Sequence, residues 1–317
     1  MPLTLAPERC GLDLDGVSRL LKWSIDSSVK TRGVKIVSRG VQTRVAVVEL
    51  EAGERFVLKT RLLRAGNAFT NEAHQFVTLA HSAPFPVPRV IAHGEFEGHD
   101  YLLLDKPWGR DLRRTLGGLT RLEREQLLWE WGRLLGRLHS APRGRFFGEL
   151  LPGKSPQLCS WPEFYSRLWQ HKIAQLLRSD RLPGPVLDAV AWVHSSLPRL
   201  LRGDEIPRLI HGNLDPTRIF FESSGEADLG WRVSGVTDPL LAHGNPELDL
   251  AMLEPHCVVD ASFLAGYQSE MHLDEGYHQR KWVYMLYGTL EKVRTHGSAH
   301  HVLGAVGFLE RILRHLQ

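Results

Sequence analysis

Apolar residues recur with a period near two in the first third of the chain and with a helical period through most of the remainder. An amphipathic helix is predicted from about Gly16 to Ser27. Strands follow over Val34 to Val37, Arg44 to Leu50 and Arg55 to Lys59. The loop Ser38 to Thr43 and the turn Glu51-Ala52-Gly53-Glu54 separate them, so they read as an antiparallel meander. Phe69, Ala73, Phe76, Val77 and Ala80 then mark the buried stripe of a helix over Ala68 to His81. Pro84, Pro86 and Pro88 stop that helix, because proline lacks the amide donor and disfavours helical backbone before it. Two more strands, Val90 to His93 and Tyr101 to Leu104, flank a turn at Gly98. The pattern is a five-stranded sheet with one helix inserted after its third strand.

Asp105-Lys106-Pro107-Trp108-Gly109 reads as a linker, beyond which the pattern is helical apart from one β-like island over Leu209 to Val236. Leu127, Leu128, Trp131, Leu134, Leu135 and Leu138 share one face of a long helix ending near His139. Further helices are predicted over Trp161 to Leu177, Pro185 to Leu201, Gly276 to Thr295 and His301 to Leu316. No fixed repeat or low-complexity tract is present. The expected class is α+β and bilobal. It has an N-terminal lobe over 1–104, a hinge over 105–109 and a helical lobe over 110–317 that carries the segment 209–239. A cleft between two such lobes is the place to look for a small-molecule site.

Composition narrows the function classes. With 317 residues, 43% hydrophobic and 24% charged, the chain can bury a sizeable core, and no apolar run approaches membrane-spanning length. The start, Met-Pro-Leu-Thr-Leu-Ala-Pro-Glu-Arg-Cys, has no basic-then-apolar leader, so a cytoplasmic protein with no membrane partner is expected. Cys10, Cys159 and Cys257 are too few and too scattered for a disulfide framework or zinc site, and are expected to be small packing residues. A net charge of +3 with dispersed arginines argues against nucleic acid as a partner, and Arg110, Arg113 and Arg114 are expected on solvated helix surface. The nine tryptophans, Trp129, Trp131, Trp161 and Trp169 among them, fit core packing better than an exposed recognition surface.

Lys59 at a strand end and Glu72 on the next helix are the first candidates for chemistry. Glu72 lies three residues after Phe69 and four before Phe76, so it faces the packed sheet and calls for a cation. The Ser38 to Thr43 loop could cradle phosphates with its amides, but it holds one glycine and equally suits a plain hairpin. His296, His300 and His301 bunch near the end of the chain and are read as a solvated helix connection. More specific is the run His211-Gly212-Asn213-Leu214-Asp215-Pro216-Thr217-Arg218-Ile219-Phe220. Val236-Thr237-Asp238-Pro239 and then Gly244-Asn245-Pro246-Glu247-Leu248-Asp249-Leu250-Ala251-Met252 follow it.

These three segments resemble the catalytic loop, metal-binding strand end and E-x-D-L-A helix start of the aminoglycoside phosphotransferase, choline kinase and fructosamine kinase superfamily, which has a protein-kinase-like fold. The wording from Gly244 to Met252 is most similar to fructosamine kinases. The resemblance spans nearly the whole chain, since Lys59, Glu72, the Pro-Val-Pro-Arg-Val strand entry and the Leu-Gly-Arg-Leu-His helix end fall in family order. It implies ATP and magnesium as cofactors. Lys59 would steady nucleotide phosphates, Glu72 would orient Lys59, and the linker at Asp105 and Lys106 would bond adenine through its backbone. Asp238 would be the principal magnesium ligand. Asp249 would brace the catalytic loop, and His211 would structure it without acting as a base.

Two positions depart from that pattern. Asn213 replaces the family's catalytic aspartate, and Arg218 replaces an asparagine that binds a second magnesium. A positioned base is worth about 10²–10⁴ in rate, and an amide cannot supply it. The first expectation is a pseudokinase in which Arg218 pairs with Asp238 or Asp215, fills the metal site, and leaves nucleotide, peptide or partner binding as the function. Its rival is an active phosphotransferase in which Asp215 supplies the carboxylate, Asp238 keeps a metal and Arg218 contacts phosphate; the acceptor would be a small-molecule or peptide hydroxyl or amine. A deliberate replacement of the aspartate accounts for Asn213 but not for Arg218. A scaffold subunit presenting a peptide or a partner enzyme is the remaining class.

Overall fold

The computed structural model describes residues 12–39, 43–63, 68–154, 157–179, 181–202, 206–223 and 230–314. Helix α1 (Leu14–Ser24) is capped by Asp13, whose carboxylate accepts from the Gly16 amide at 2.8 Å. Strands β1 (Thr31–Arg39), β2 (Arg44–Leu50), β3 (Arg55–Leu62), β4 (Val90–Phe96) and β5 (His99–Asp105) form one antiparallel sheet in the order β1-β2-β3-β5-β4. Helix α2 (Ala68–Ser82) is inserted after β3. The five predicted strands and their helix are all present, and each of β1, β3, β4 and β5 is longer than its apolar run. Ladder hydrogen bonding continues through polar residues that periodicity does not mark.

The sheet is covered on both faces. Val17, Leu20 and Leu21 of α1 pack on Val48, Leu50, Phe56, Leu58, Tyr101 and Leu103, while Phe69, Ala73 and Phe76 of α2 pack on Leu102, Leu104 and Val57. Strand alternation therefore sends Leu58 to α1 and Val57 and Lys59 to α2. That parity decides which helix Lys59 can meet.

The linker joins the sheet to a second body. Strand β6 (Arg110–Asp111) pairs with β9 (Ile219–Ser223), which pairs in turn with β10 (Trp231–Val236); β7 (Gly148–Glu149), β11 (Ala242–Gly244) and β8 (Arg208–Ile210) form another small sheet. Gly109 has φ +79°, and a Cβ there would lie 1.9 Å from the Phe221 carbonyl oxygen, so only glycine lets the linker approach β9. Around these strands pack α3 (Leu112–Leu116), α4 (Arg121–Ser140), α5 (Trp161–Ser179), α6 (Gly184–Leu200), α7 (Glu247–Leu253), α8 (Ala261–Gln268), α9 (Tyr277–His296) and α10 (Ala299–Arg314). Thr120 and Glu123 form a reciprocal capping box that starts α4. Trp131, Trp161 and Trp169 are fully buried in this core, and Trp129 is partly exposed.

Cys159 and Cys257 are exposed free thiols, which corrects the expectation of packing residues; Cys10 lies outside the described residues. Their apolar neighbours Leu158 and Val258 turn to the core in their place. Among the described residues, no group of three His, Cys, Asp or Glu side chains could hold a metal ion, and no helix is long and apolar enough to cross a membrane.

One buried carboxylate positions the segment that follows β8. Asp249, in the first turn of α7, accepts from the His211 amide at 2.7 Å, the Gly212 amide at 2.8 Å and His139 Nε2 at 3.2 Å. Two residues earlier, Glu247 is gripped by Arg280 of α9, with Nε to Oε2 at 2.9 Å and Nη2 to Oε1 at 2.5 Å. The E-x-D spacing thus ties α7 to α9 on one side and to the loop on the other. His211 donates from Nε2 to the Thr237 carbonyl at 3.1 Å and receives the Asn213 amide on Nδ1 at 3.3 Å, which requires a neutral ring.

Replacing Asp249 with asparagine removes a charge that three donors face, and should destabilise the fold by about 2–4 kcal/mol in urea unfolding; a change near zero would mean the loop does not depend on it. Burial pushes the His211 imidazole down to about 4, opposed by Asp249. The unfolded chain then binds the extra proton between about pH 6.5 and the folded value of about 4, so stability should fall as pH drops through that window. Comparing unfolding midpoints at pH 7.5 and 5 should give a smaller acid loss in His211→Gln than in the natural sequence.

Candidate active site

Lys59 and Glu72 meet as the strand parity and helix spacing require: Lys59 Nζ lies 2.5 Å from Glu72 Oε1, and the Lys59 side chain is 12% exposed. The same ammonium reaches across to Asp238 Oδ1. Burial penalises the Lys59 charge, but the Asp238 and Glu72 carboxylates outweigh it and hold its pKa above the ordinary value. Lys59 lies inside β3 and not at the strand end that its apolar run suggested, and a strand, a helix and the segment after β10 converge on this cation.

Asp238 sits between two cations. Its second oxygen, Oδ2, faces Arg218 Nε at 3.6 Å, with the two side chains 37% and 30% exposed. Burial would raise the Asp238 pKa, yet Lys59 first and Arg218 after it keep the carboxyl below its usual range, so it is ionised at neutral pH. The backbone here is left-handed, φ +56°, in a residue that precedes proline. Such a conformation costs about 1–3 kcal/mol and persists only where the surroundings enforce it. Here the enforcement is visible: the Asn213 side-chain amide donates to the Asp238 carbonyl at 2.9 Å, and the Thr237 amide donates to the Arg218 carbonyl at 2.9 Å.

Asn213 and Arg218 are thus part of one scaffold. Arg218 Nη1 donates to the Asn213 carbonyl at 2.8 Å, and this is its close contact; the separation from Asp238 is that of a loose ion pair. Gly212 precedes them with φ +75°, and a Cβ there would meet the Leu240 carbonyl oxygen at 2.2 Å, which makes glycine obligatory in the turn. The expected Arg218 to Asp238 pairing is present, but it does not close over the carboxylate.

Asp215 is in extended backbone, φ −151° and ψ 143°, and starts a 3-10 turn over Pro216–Arg218. Its Oδ1 accepts from the Thr217 amide at 2.9 Å and hydroxyl at 2.6 Å, while Oδ2 faces His256 Nε2 at 3.6 Å. Burial acts to raise its pKa, and the Thr217 bonds, His256 and Arg218 together bring it below the usual value. Sequence reasoning did not single out His256. It lies on another 3-10 turn, Glu254–His256, and only tertiary structure brings it to Asp215.

The linker is arranged differently from the simplest reading. The amides of Asp105 and Lys106 donate to the carbonyls of Arg89 and Arg55, both at 3.0 Å, so these two donors are committed to the sheet. The Asp105 carboxylate binds Arg89 Nε at 3.0 Å, and Lys106 Nζ donates to the Pro107 carbonyl at 3.1 Å. Those two amides are therefore not free for the adenine contact that the resemblance implied. Residues 40–42 of the loop between β1 and β2 lie outside the described residues.

Comparison with known proteins agrees with this geometry. The fructosamine kinase family model matches residues 15–315. A probable ketoamine kinase of Synechocystis sp. is 27% identical over 259 residues, covering 79% of this chain and 81% of that protein. The probable ketoamine kinase YniA of Escherichia coli is 28% identical over 267 residues, covering 83% and 86%. Among solved structures, a putative fructosamine-3-kinase from Thermobifida fusca superimposes with a TM-score of 0.71 at 22% identity, over 95% of this chain and 100% of that one. An ADP-bound aminoglycoside phosphotransferase, APH(2'')-Ib, gives 0.63 at 15% identity, over 96% and 97%. The fold is accordingly kinase-like, and the chain belongs to the fructosamine kinase family.

Proposed function

We propose that this protein is an active phosphotransferase that moves the γ-phosphoryl group of ATP to a hydroxyl of a small sugar-derived acceptor. Ketoamines are the first class to test, because the relatives at 27% and 28% identity carry that name. The observation that carries the reading is the charge arrangement at Asp238: two cations, Lys59 and Arg218, aimed at one partly exposed carboxylate. A triphosphate entering there brings the negative charge for which both cations are placed. Lys59 stays oriented by Glu72 when Asp238 is drawn away.

The donor set fits one magnesium ion rather than two. Asp238 offers a hard, ionised oxygen, whereas Arg218 presents a fixed cation where a second ion would need a neutral donor. Asp238 would hold the magnesium ion, whose charge would offset part of that on the phosphates. The guanidinium of Arg218 takes over on the other side as a donor to phosphate oxygen, a role its planar fork suits. Asn213 holds the Asp238 carbonyl, so its amide maintains the strained turn and leaves proton transfer to another group. A pseudokinase with a sealed site is the poorer account, because a 3.6 Å ion pair with both partners about a third exposed is easily exchanged for phosphate.

Calorimetric titration with ATP and magnesium should show binding that weakens about tenfold or more in Lys59→Ala and in Asp238→Ala, each losing a charge-assisted contact. No binding by the natural sequence would contradict the proposal. Titration without magnesium separates the two roles of Arg218. Arg218→Asn should bind ATP about tenfold more weakly if the guanidinium serves phosphate; tighter binding would mean that Arg218 plugs the site.

A further inference from the structure

His256 is held in place by more than its neighbour in sequence. Its turn ends at Cys257, which is left-handed with φ +54°, and the Cys257 carbonyl accepts from Arg124 Nη2 of α4 at 2.8 Å. Glu254, which opens the turn, is bonded by Tyr277 Oη at 3.0 Å and Lys281 Nζ at 2.8 Å, both from α9. Asp215 is fixed from its own side, because Thr217 occupies Oδ1 and leaves Oδ2 turned to the imidazole. Both side chains keep about a quarter of their surface exposed, 25% for Asp215 and 28% for His256, so a ligand can reach them. Arg218 is joined to this pair through its backbone amide, which donates to the Asp215 carbonyl at 2.8 Å.

Its position relative to the phosphate site follows from the chain. Asp215 lies two residues after Asn213, a span of at most about 7 Å. It lies three residues before Arg218, which faces Asp238. A group bonded to His256 is therefore within one small molecule's length of the phosphate-facing cations. The charged groups bearing on the ring are Asp215 of the loop after β8, Arg113 of α3 and Lys292 of α9.

We infer that His256, oriented by Asp215, is the general base that takes the proton from the acceptor hydroxyl, the task that Asn213 cannot perform. The inference rests on the phosphotransferase reading above. The carboxylate favours a proton on Nε2, leaving the Nδ1 lone pair to receive the acceptor's proton. As the O–H bond breaks, the oxygen forms a bond to the γ-phosphorus. The bond from that phosphorus to the β–γ bridging oxygen breaks with its electron pair, and ADP departs. Burial first, then Lys292 and Arg113, holds the imidazole below its ordinary pKa against the opposing pull of Asp215, so it is neutral near pH 7 and able to accept.

The test measures phosphoryl transfer from magnesium ATP to fructosyl-lysine between pH 5 and 9, with hydrolysis of ATP by water as a second readout. His256→Gln should lower kcat about 10²-fold or more while leaving ATP affinity unchanged. Asp215→Asn keeps an oxygen for Thr217 but removes the charge that favours imidazolium, so the acidic limb of kcat/KM should move to lower pH. A purely structural pair would leave that limb where it was. Undiminished turnover in His256→Gln, or an unmoved limb in Asp215→Asn, overturns the dyad and leaves the phosphotransferase reading standing. If the natural sequence does not phosphorylate fructosyl-lysine, the ketoamine assignment fails and the dyad is judged on hydrolysis, which must fall in His256→Gln. Absence of both reactions overturns the dyad together with the reading it rests on.

Discussion

The cleft is organised by one carboxylate that faces two cations. Asp238 accepts from Lys59 on one oxygen and faces Arg218 on the other, and it does so from a left-handed, pre-proline backbone. A cation left in a half-buried cleft without a counter-charge is costly, and Asp238 supplies one to Arg218 and a second, beside Glu72, to Lys59. On the proposed function, the charge of an incoming polyphosphate would replace Asp238 as the partner of Lys59 and Arg218 and free Asp238 for a metal. Strand parity sends Lys59 toward α2, helix spacing gives it Glu72, and the close approach at Gly109 brings β9 and β10 against the linker.

That exchange needs a loop which does not move with it. Asp249 supplies the rigidity by accepting two successive amides, and Arg280 secures α7 through Glu247. His211, neutral because of its burial, spans from Thr237 to Asn213 and so couples the catalytic-loop segment to the turn that carries Asp238. The two residues that depart from the family pattern have been absorbed into this scaffold. Asn213 bonds the Asp238 carbonyl and Arg218 bonds the Asn213 carbonyl. Both are therefore better described as parts of a rebuilt loop than as damage to an old one.

Much of this was legible in the sequence because it depends on local rules. Period-two alternation located the strands, and the spacing of Phe69, Glu72 and Phe76 placed the carboxylate on the sheet-facing side of α2. The loop from His211 to Phe220 and its brace at Asp249 were legible through their resemblance to the kinase-like superfamily and not through spacing alone. Short elements escaped, since α3 and α8 are too brief for a helical period to emerge. Tertiary pairs escaped for a different reason. Nothing in the spacing of Asp215 and His256, or of Glu247 and Arg280, announces that they meet. The linker amides of Asp105 and Lys106 illustrate a further limit, because their partners are set by sheet register and not by residue type.

The most direct examination of the central claim is a crystal structure of the chain with magnesium and a non-hydrolysable ATP analogue. The account predicts a single magnesium ion on Asp238, the Arg218 guanidinium moved onto a phosphate oxygen, and Lys59 released by Asp238 while still held by Glu72. A second magnesium beside Arg218, or a cleft that refuses the analogue with Arg218 still facing Asp238, would contradict it.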